Sequence, residues 1–409
     1  MGILPESATR DARVLLLTRA VRAFVDGIAF VVFPVFLDRL GFSGLQIGTI
    51  VAAGLAGSAV LTLATGVMSR RFDPVHLLTA GSLVMLTTGV AFGFSSAFWV
   101  LVLIGVVTTM NTSAGDVSAF LPLEQSMLST TVPDRDRTAV FARFNLVGSL
   151  VGSIGALCAG LPALVARWLG HDDQAGRRAS FVLYGLAGLV VLPAYRRLSA
   201  AARTRALPGD RALSPGSRRI VLRLSALFSL DALGGGFATQ AIFALWVLQR
   251  FGLSMTTLGS VFFAAGIVSA FSSLLSVKVA ARIGLVRTMV FTHIPASILL
   301  VLVALAPDVR LAMALFVLRG LLSQMDVPVR TSYVMAVVSP QERAAAASIT
   351  NIPRSLASAF PPVLAGWMLD HSTFAWPLLV CAACKITYDL LLLAMFRDVR
   401  PPEEAAPAG

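Results

Sequence analysis

Apolar stretches long enough to cross a bilayer alternate along the chain with short polar connectors rich in arginine. Three of them hold no Asp, Glu, Lys or Arg at all: Gly41 to Ser69, Pro74 to Gly115 and Phe251 to Val277. A helix crossing the hydrocarbon needs about 20 mostly apolar residues, so the first and third each provide one span and the second provides a hairpin. Its turn falls near Gly93-Phe94-Ser95-Ser96. With the segments interrupted by isolated charges, the pattern predicts twelve spans, at about 13–38, 43–68, 75–94, 97–121, 139–168, 179–196, 219–249, 255–280, 284–306, 310–337, 344–369 and 374–396. Each is expected to be an α-helix, because lipid offers backbone N–H and C=O groups no partner outside the chain.

Composition agrees with a polytopic membrane protein. Of 409 residues, 56% are hydrophobic and 13% charged, the latter about half the roughly 25% of a soluble globular protein. Basic residues exceed acidic ones by 33 to 21, a net charge of +12. A nucleic-acid partner does not follow, because the basic residues sit in connectors and set topology. With the N-terminus cytoplasmic, the inner connectors hold 19 basic residues, including seven between Arg196 and Arg219, against six outside. The positive-inside bias then places both termini in the cytoplasm of a multi-pass protein of the plasma (inner) membrane. The first apolar run carries Arg19, Arg22 and Asp26 and leads straight into further spans, so it reads as the first helix rather than a cleavable leader. The polar, basic, proline-containing stretch Arg196 to Arg219 lies at the midpoint and reads as a linker. The expected division is a six-helix bundle over 1–195, a cytoplasmic linker over 196–219, a second six-helix bundle over 220–398 and a tail over 399–409.

The two halves carry an internal repeat. Arg137 to Asn145 lies over Arg343 to Asn351, and the same shift pairs Ser149-Leu150 with Ser355-Leu356 and Ala159-Gly160 with Ala365-Gly366. Upstream, Gly115-Asp116-Val117 faces Met325-Asp326-Val327, and Arg39-Leu-Gly41-Phe-Ser43 faces Arg250-Phe-Gly252-Leu-Ser254. Matches at nearly one offset, in sequence order, indicate two parallel copies of one unit. Twelve spans in this arrangement resemble the major facilitator superfamily over essentially the whole chain. That family carries a loop of the form G-x-x-x-D-R-x-G-R-[KR] after helices 2 and 8. Here the loop is degenerate: Gly66-Val-Met-Ser-Arg70-Arg71-Phe72-Asp73 after helix 2 and Ala281-Arg282-Ile283-Gly284-Leu285-Val286-Arg287 after helix 8. The resemblance implies an all-α integral membrane fold, with 12 transmembrane helices in two pseudo-symmetric six-helix bundles around a central cavity, acting as a monomer. It also implies gating roles for Arg71 and Arg282, as donors to helix ends or to acids across the bundle. Simple positive-inside anchoring is the other reading of these two residues.

Charges inside spans stand out, since one at the bilayer centre costs about 2.5–3.5 kcal/mol even on a lenient scale. The acids are Asp26, Asp116, Glu124, Asp231, Asp326 and Asp389. In the family it resembles, helices 1, 4, 7 and 10 line the cavity, and these carry Asp26, Asp116, Asp231 and Asp326. Arg22 with Asp26, Asp326 with Arg330, and Lys385 with Asp389 are spaced i,i+4 and are expected to pair along one helix face. Asp116 and Asp231 have no basic residue at that spacing, which makes them candidates for proton coupling; an interhelical salt bridge to Arg143, Arg319 or Arg354 is the alternative. Asp231 also precedes Gly234-Gly235-Gly236, a run that lets a helix break beside it. Arg19, Arg22, Arg319 and Arg330 either clamp an anionic solute or balance the acids. Asn111, Gln125, Gln240, Gln324, Asn351 and Tyr333 add polar groups to the expected cavity. Glu124 either closes an inner gate with Arg71, Arg137 or Arg143, or snorkels to the interface.

Cys381-Ala-Ala-Cys384 lies in an apolar span without a second pair, and the four histidines are scattered, so no metal, cofactor or redox site is expected. No nucleophile elbow or phosphate loop occurs in a suitable context, and no segment outside the spans is large enough for an ATPase. The expectation is therefore a secondary carrier rather than an enzyme: a proton-coupled antiporter exporting a small organic solute, with uptake of an anionic metabolite as the alternative and a non-transporting scaffold or sensor behind both.

Overall fold

The computed structural model describes residues 9–69, 71–110, 120–130, 134–199 and 213–397. Asn111 and Asp116 lie outside the described residues. In the first half the helices are α1 (Arg10–Arg39), α2 (Gly44–Met68), α3 (Pro74–Phe94), α4 (Phe98–Val107), α5 (Phe120–Thr130), α6 (Asp134–Leu157), α7 (Leu161–Trp168) and α8 (Asp173–Arg196). In the second they are α9 (Pro215–Phe237), α10 (Gln240–Phe251), α11 (Met255–Ile283), α12 (Leu285–Leu305), α13 (Val309–Ser323), α14 (Asp326–Ala336), α15 (Arg343–Ala359), α16 (Pro361–His371) and α17 (Trp376–Phe396). No strand occurs among the described residues.

Ten stretches of these helices are long and apolar enough to cross a membrane, and α4 is a shorter apolar helix. The all-helical fold expected from the apolar pattern is therefore present, with several predicted spans broken in two. The fourth stops at Val107, where Thr108 turns extended. Its hydroxyl accepts the Met110 N–H at 3.2 Å and donates to Thr88 at 3.3 Å, a local alternative to the helical ladder. The seventh breaks after Gly234-Gly235-Gly236, and Thr239 restarts it by accepting the Ile242 N–H at 3.3 Å. In the tenth, Pro328 cannot donate to the carbonyl four residues back and its ring crowds that carbonyl, so the helix breaks ahead of Asp326. The eleventh breaks at Pro361-Pro362 for the same reason and is too polar to join the apolar set.

The repeated Arg-x-Gly-x-Ser motif has a physical meaning. Gly41 and Gly252 take the positive φ values of +84° and +63° that end α1 and α10 at little steric cost. Two residues later Ser43 accepts the Gln46 N–H at 3.3 Å, and Ser254 accepts that of Thr257 at 3.1 Å, so each motif closes one helix and caps the next.

Two compact units result, one of Met1–Ala206 with Thr239–Phe263 and the other of Leu207–Ala238 with Ala264–Gly409. In the first, α1 packs on α6 and α8, and α10 packs on α1. A Cβ on Gly27 would lie 2.0 Å from the Gly152 carbonyl oxygen, so α1 and α6 meet backbone to backbone. Leu15, Leu78, Phe120, Phe144 and Tyr195 belong to the core of this unit. In the second, α9 packs on α15 and α17, and α12 on α17 and α13. Its core includes Leu224, Phe228, Met289, Tyr333 and Tyr388.

Candidate functional site

Among the described residues each unit holds an interhelical cluster of buried charge, and the two are built differently. In the second unit Asp231 sits in the last third of α9, 3% exposed. Its two oxygens are divided between helices: Lys385 of α17 donates to Oδ1 at 2.6 Å, and Arg330 of α14 donates to Oδ2 at 3.1 Å. Arg330 Nη1 also reaches Asp326 Oδ2 at 3.2 Å, and that carboxylate lies in the first turn of α14, where the helix dipole favours it. The Arg330 guanidinium lies over the Phe228 ring at 5.5 Å. Lys385 Nζ further contacts His293 Nε2 of α12 at 3.3 Å, and the other ring nitrogen of His293 faces both oxygens of Asp389 at 3.0 and 3.1 Å. His293 Nε2 is also 3.8 Å from Asp231 Oδ1. One connected network thus runs Asp326, Arg330, Asp231, Lys385, His293, Asp389 across α14, α9, α17 and α12.

The first unit holds a smaller, closed cluster. Glu124 of α5 is fully buried and forms an ion pair with Arg22 of α1, itself 2% exposed. Tyr195 of α8 donates to Glu124 Oε1 at 2.6 Å, and Thr18 of α1 contacts the same oxygen at 3.4 Å. Arg22 lies over the Phe120 ring at 4.1 Å. One carboxylate therefore has one cation, two hydroxyl donors and an aromatic lid, with α1, α5 and α8 joined at one point.

Several expected partners differ from those observed. Arg22 forms its ion pair with Glu124 rather than with Asp26; Asp26, half-buried on α1, lies within its electrostatic reach. Glu124 pairs with Arg22, not with Arg71 or Arg143, and its full burial rules out snorkelling here; the Arg137 side chain lies outside what the structure describes. Lys385 and Asp389 do not pair with each other: Lys385 reaches across to Asp231 and Asp389 to His293, because α9 and α12 both pack on α17. Asp326 and Arg330 do pair along α14 as their spacing predicts. Asp231 is bridged by Lys385 and Arg330, whereas the sequence pointed to Arg143, Arg319 or Arg354. Arg319 of α13 and Arg354 of α15 lie within electrostatic reach of Asp231 and Asp326. Tyr333 is fully buried against Phe396, and Gln240 opens α10 with its side-chain oxygen buried and unpartnered. Arg71, in the turn after α2, and Arg282, in the last turn of α11, are exposed. His293, Tyr195 and Thr18 were not singled out by sequence, since nothing at i±3 or i±4 marks their partners; Asp389 was, but with Lys385 as its expected partner rather than His293. The three cysteines are free, and Cys384 serves close packing: a Cβ on Gly234 would lie 2.8 Å from its Cβ. No grouping of His, Cys, Asp and Glu suited to a metal ion occurs among the described residues.

The sequence model of the Major Facilitator Superfamily matches residues 15–248 and again 226–409. The chain is 24% identical over 427 residues to Uncharacterized membrane protein YJR124C of Saccharomyces cerevisiae, covering 96% of this chain and 95% of the relative. Among solved structures, it resembles a bacterial homolog of the human lysosomal transporter Spinster with a TM-score of 0.73 and 17% identity, over 97% of this chain and 98% of that one. A POT family peptide transporter gives 0.74 at 12% identity, over 98% and 99%. The xylose transporter XylE from E. coli gives 0.71 at 12% identity, over 93% and 95%. At these identities the structural likeness speaks for the fold alone.

Proposed function

Because the chain belongs to the Major Facilitator Superfamily, a family of membrane transporters, we propose that it is a proton-coupled secondary carrier that exports a small organic solute by alternating access. It works as a monomer in the plasma membrane with both termini cytoplasmic, without a cofactor and without enzymatic chemistry. The observation that supports coupling is the division of Asp231 between Lys385 and Arg330 on two other helices. A single proton on that carboxylate removes the charge that holds α17 and α14 to α9, so protonation and helix arrangement are linked at one atom pair. Asp116, the second acid assigned to coupling from sequence, stays a candidate on its helix-4 position alone. The remaining charged groups of the network set the cost of that protonation, since the freed cations must find another acid or an incoming solute.

The test is transport in proteoliposomes of known orientation, with a panel of organic solutes and an imposed pH gradient. Solute movement against its own gradient, driven by the proton gradient and abolished by a protonophore, is the expected outcome. Solute movement that ignores the proton gradient across the panel would remove the coupling; no movement at all would remove the carrier reading.

A further inference from the structure

The network around Asp231 contains more cations than it uses. Lys385, Arg330, Arg319 and Arg354 are four positive side chains, against the three carboxylates of Asp231, Asp326 and Asp389. The carboxylates are already engaged: Asp231 by Lys385 and Arg330, Asp326 by Arg330, Asp389 by His293. Arg319 and Arg354 take part in no hydrogen bond or ion pair among the described residues, and the Nε of each is buried without a partner. Both nevertheless lie within electrostatic reach of Asp231 and Asp326, and Arg354 stands close enough to Arg330 for the two cations to oppose each other. Each residue keeps partial exposure although its Nε is buried.

A guanidinium in a membrane interior without a counter-ion is costly, and both of these face the same two carboxylates, which are already engaged. The planar fork of arginine matches carboxylate and phosphate oxygens in pairs, a fit that the compact ammonium of lysine lacks. We propose that Arg319 and Arg354 form a binding site for the anionic group, a carboxylate or a phosphate, of an organic solute. This rests on the carrier reading above and specifies its substrate class. It also separates roles within the cluster: Arg330 and Lys385 hold Asp231, while Arg319 and Arg354 receive the solute.

The experiment measures binding to the purified full-length protein in detergent, by thermal shift and calorimetry, so that it does not depend on transport. The probes are lactate, succinate, citrate and glycerol 3-phosphate, each beside its uncharged amide or alcohol. At least one anionic probe is expected to bind while its uncharged counterpart does not. Arg319→Gln and Arg354→Gln should each weaken that binding by about tenfold or more, and Arg→Lys at either position by less, because the charge remains and the fork is lost. The lysine variants also serve where a glutamine variant fails to fold. Binding by none of the anions, equal binding of the uncharged counterparts, or unchanged binding in both arginine variants overturns the inference. Proton-driven transport of a neutral or cationic solute that survives in the Arg319→Gln, Arg354→Gln double variant also overturns it and leaves the carrier reading in place; failure of all proton-driven transport removes the carrier reading while the binding result stands by itself.

Discussion

The buried charge of the two units differs in how far it is shared between helices. In the first, Glu124 meets Arg22, Tyr195 and Thr18 in a closed group spanning α1, α5 and α8. In the second, Asp231 is shared by two cations and the chain of contacts continues through His293 to Asp389. A closed group has one stable arrangement and fastens helices. An open one has several nearly balanced arrangements and can exchange partners when a proton or an anion arrives. The repeat makes the contrast sharper, because it preserves the helix-ending Arg-x-Gly-x-Ser turns in both halves but neither Glu124 nor Asp231. The scaffold is duplicated while the buried charge differs between the halves, and the proposed coupling site lies in one of them.

The largest expected effect separates the two clusters most cleanly. Asp231→Asn should bring proton-driven accumulation of solute down to background while solute-for-solute exchange continues, measured in the same vesicles. If accumulation persists, the open cluster is not the coupling site. Next in size is Glu124→Gln, which leaves Arg22 buried without a counter-charge and should destabilise the fold by about 3–5 kcal/mol, the range for breaking a buried pair. Its signature is a lower melting temperature with the proton-to-solute ratio unchanged; a changed ratio would give the closed cluster a share in coupling. His293→Gln should reduce the initial rate of transport less than Asp231→Asn and leave it proton-driven, since Lys385 keeps its bond to Asp231. A rate as low as that of Asp231→Asn would move the centre of the network to the His293–Asp389 end.

The smallest effect lies outside the spans. Glu342 accepts hydrogen bonds from the Ser214 N–H and from Ser339 and Ser217, which hold its carboxyl down at about 2 and tie the start of α9 to the turn before α15. A carboxyl depressed on folding contributes stability that is fully present above its usual value near 4.5 and is lost as pH falls through about 2. Wild type should therefore exceed Glu342→Gln in melting temperature at neutral pH, with the gap narrowing only below about 4.5. A gap that is constant down to the acid limit would assign the difference to packing rather than to charge.

How far the sequence reaches is visible in particular residues. The apolar runs, the glycine-serine turns and the Asp326–Arg330 pair were legible because each depends on neighbours within one or two helical turns. The break at Gly234-Gly235-Gly236 was legible for the same reason. Partner choice was not. Lys385 has an acid four residues away on its own helix and instead bonds Asp231, which is 154 positions distant, because α17 turns that face toward α9. Arg22 likewise passes over Asp26 for Glu124, 102 positions away. Spacing along a helix lists which pairs are possible, whereas packing between helices decides which are made. His293 offered no local signal at all, since its partners lie on α17 and α9.

The central claim is that the proton rides on Asp231 in the second unit and not on the closed cluster of the first. The direct measurement is the number of protons moved per solute, read from a pH-sensitive dye inside vesicles holding wild type, Asp231→Asn or Glu124→Gln. Wild type and Glu124→Gln, the latter assayed below its melting temperature, should carry protons with the solute at the same ratio, and Asp231→Asn should carry solute without protons. Proton movement by Asp231→Asn at the wild-type ratio would contradict the account.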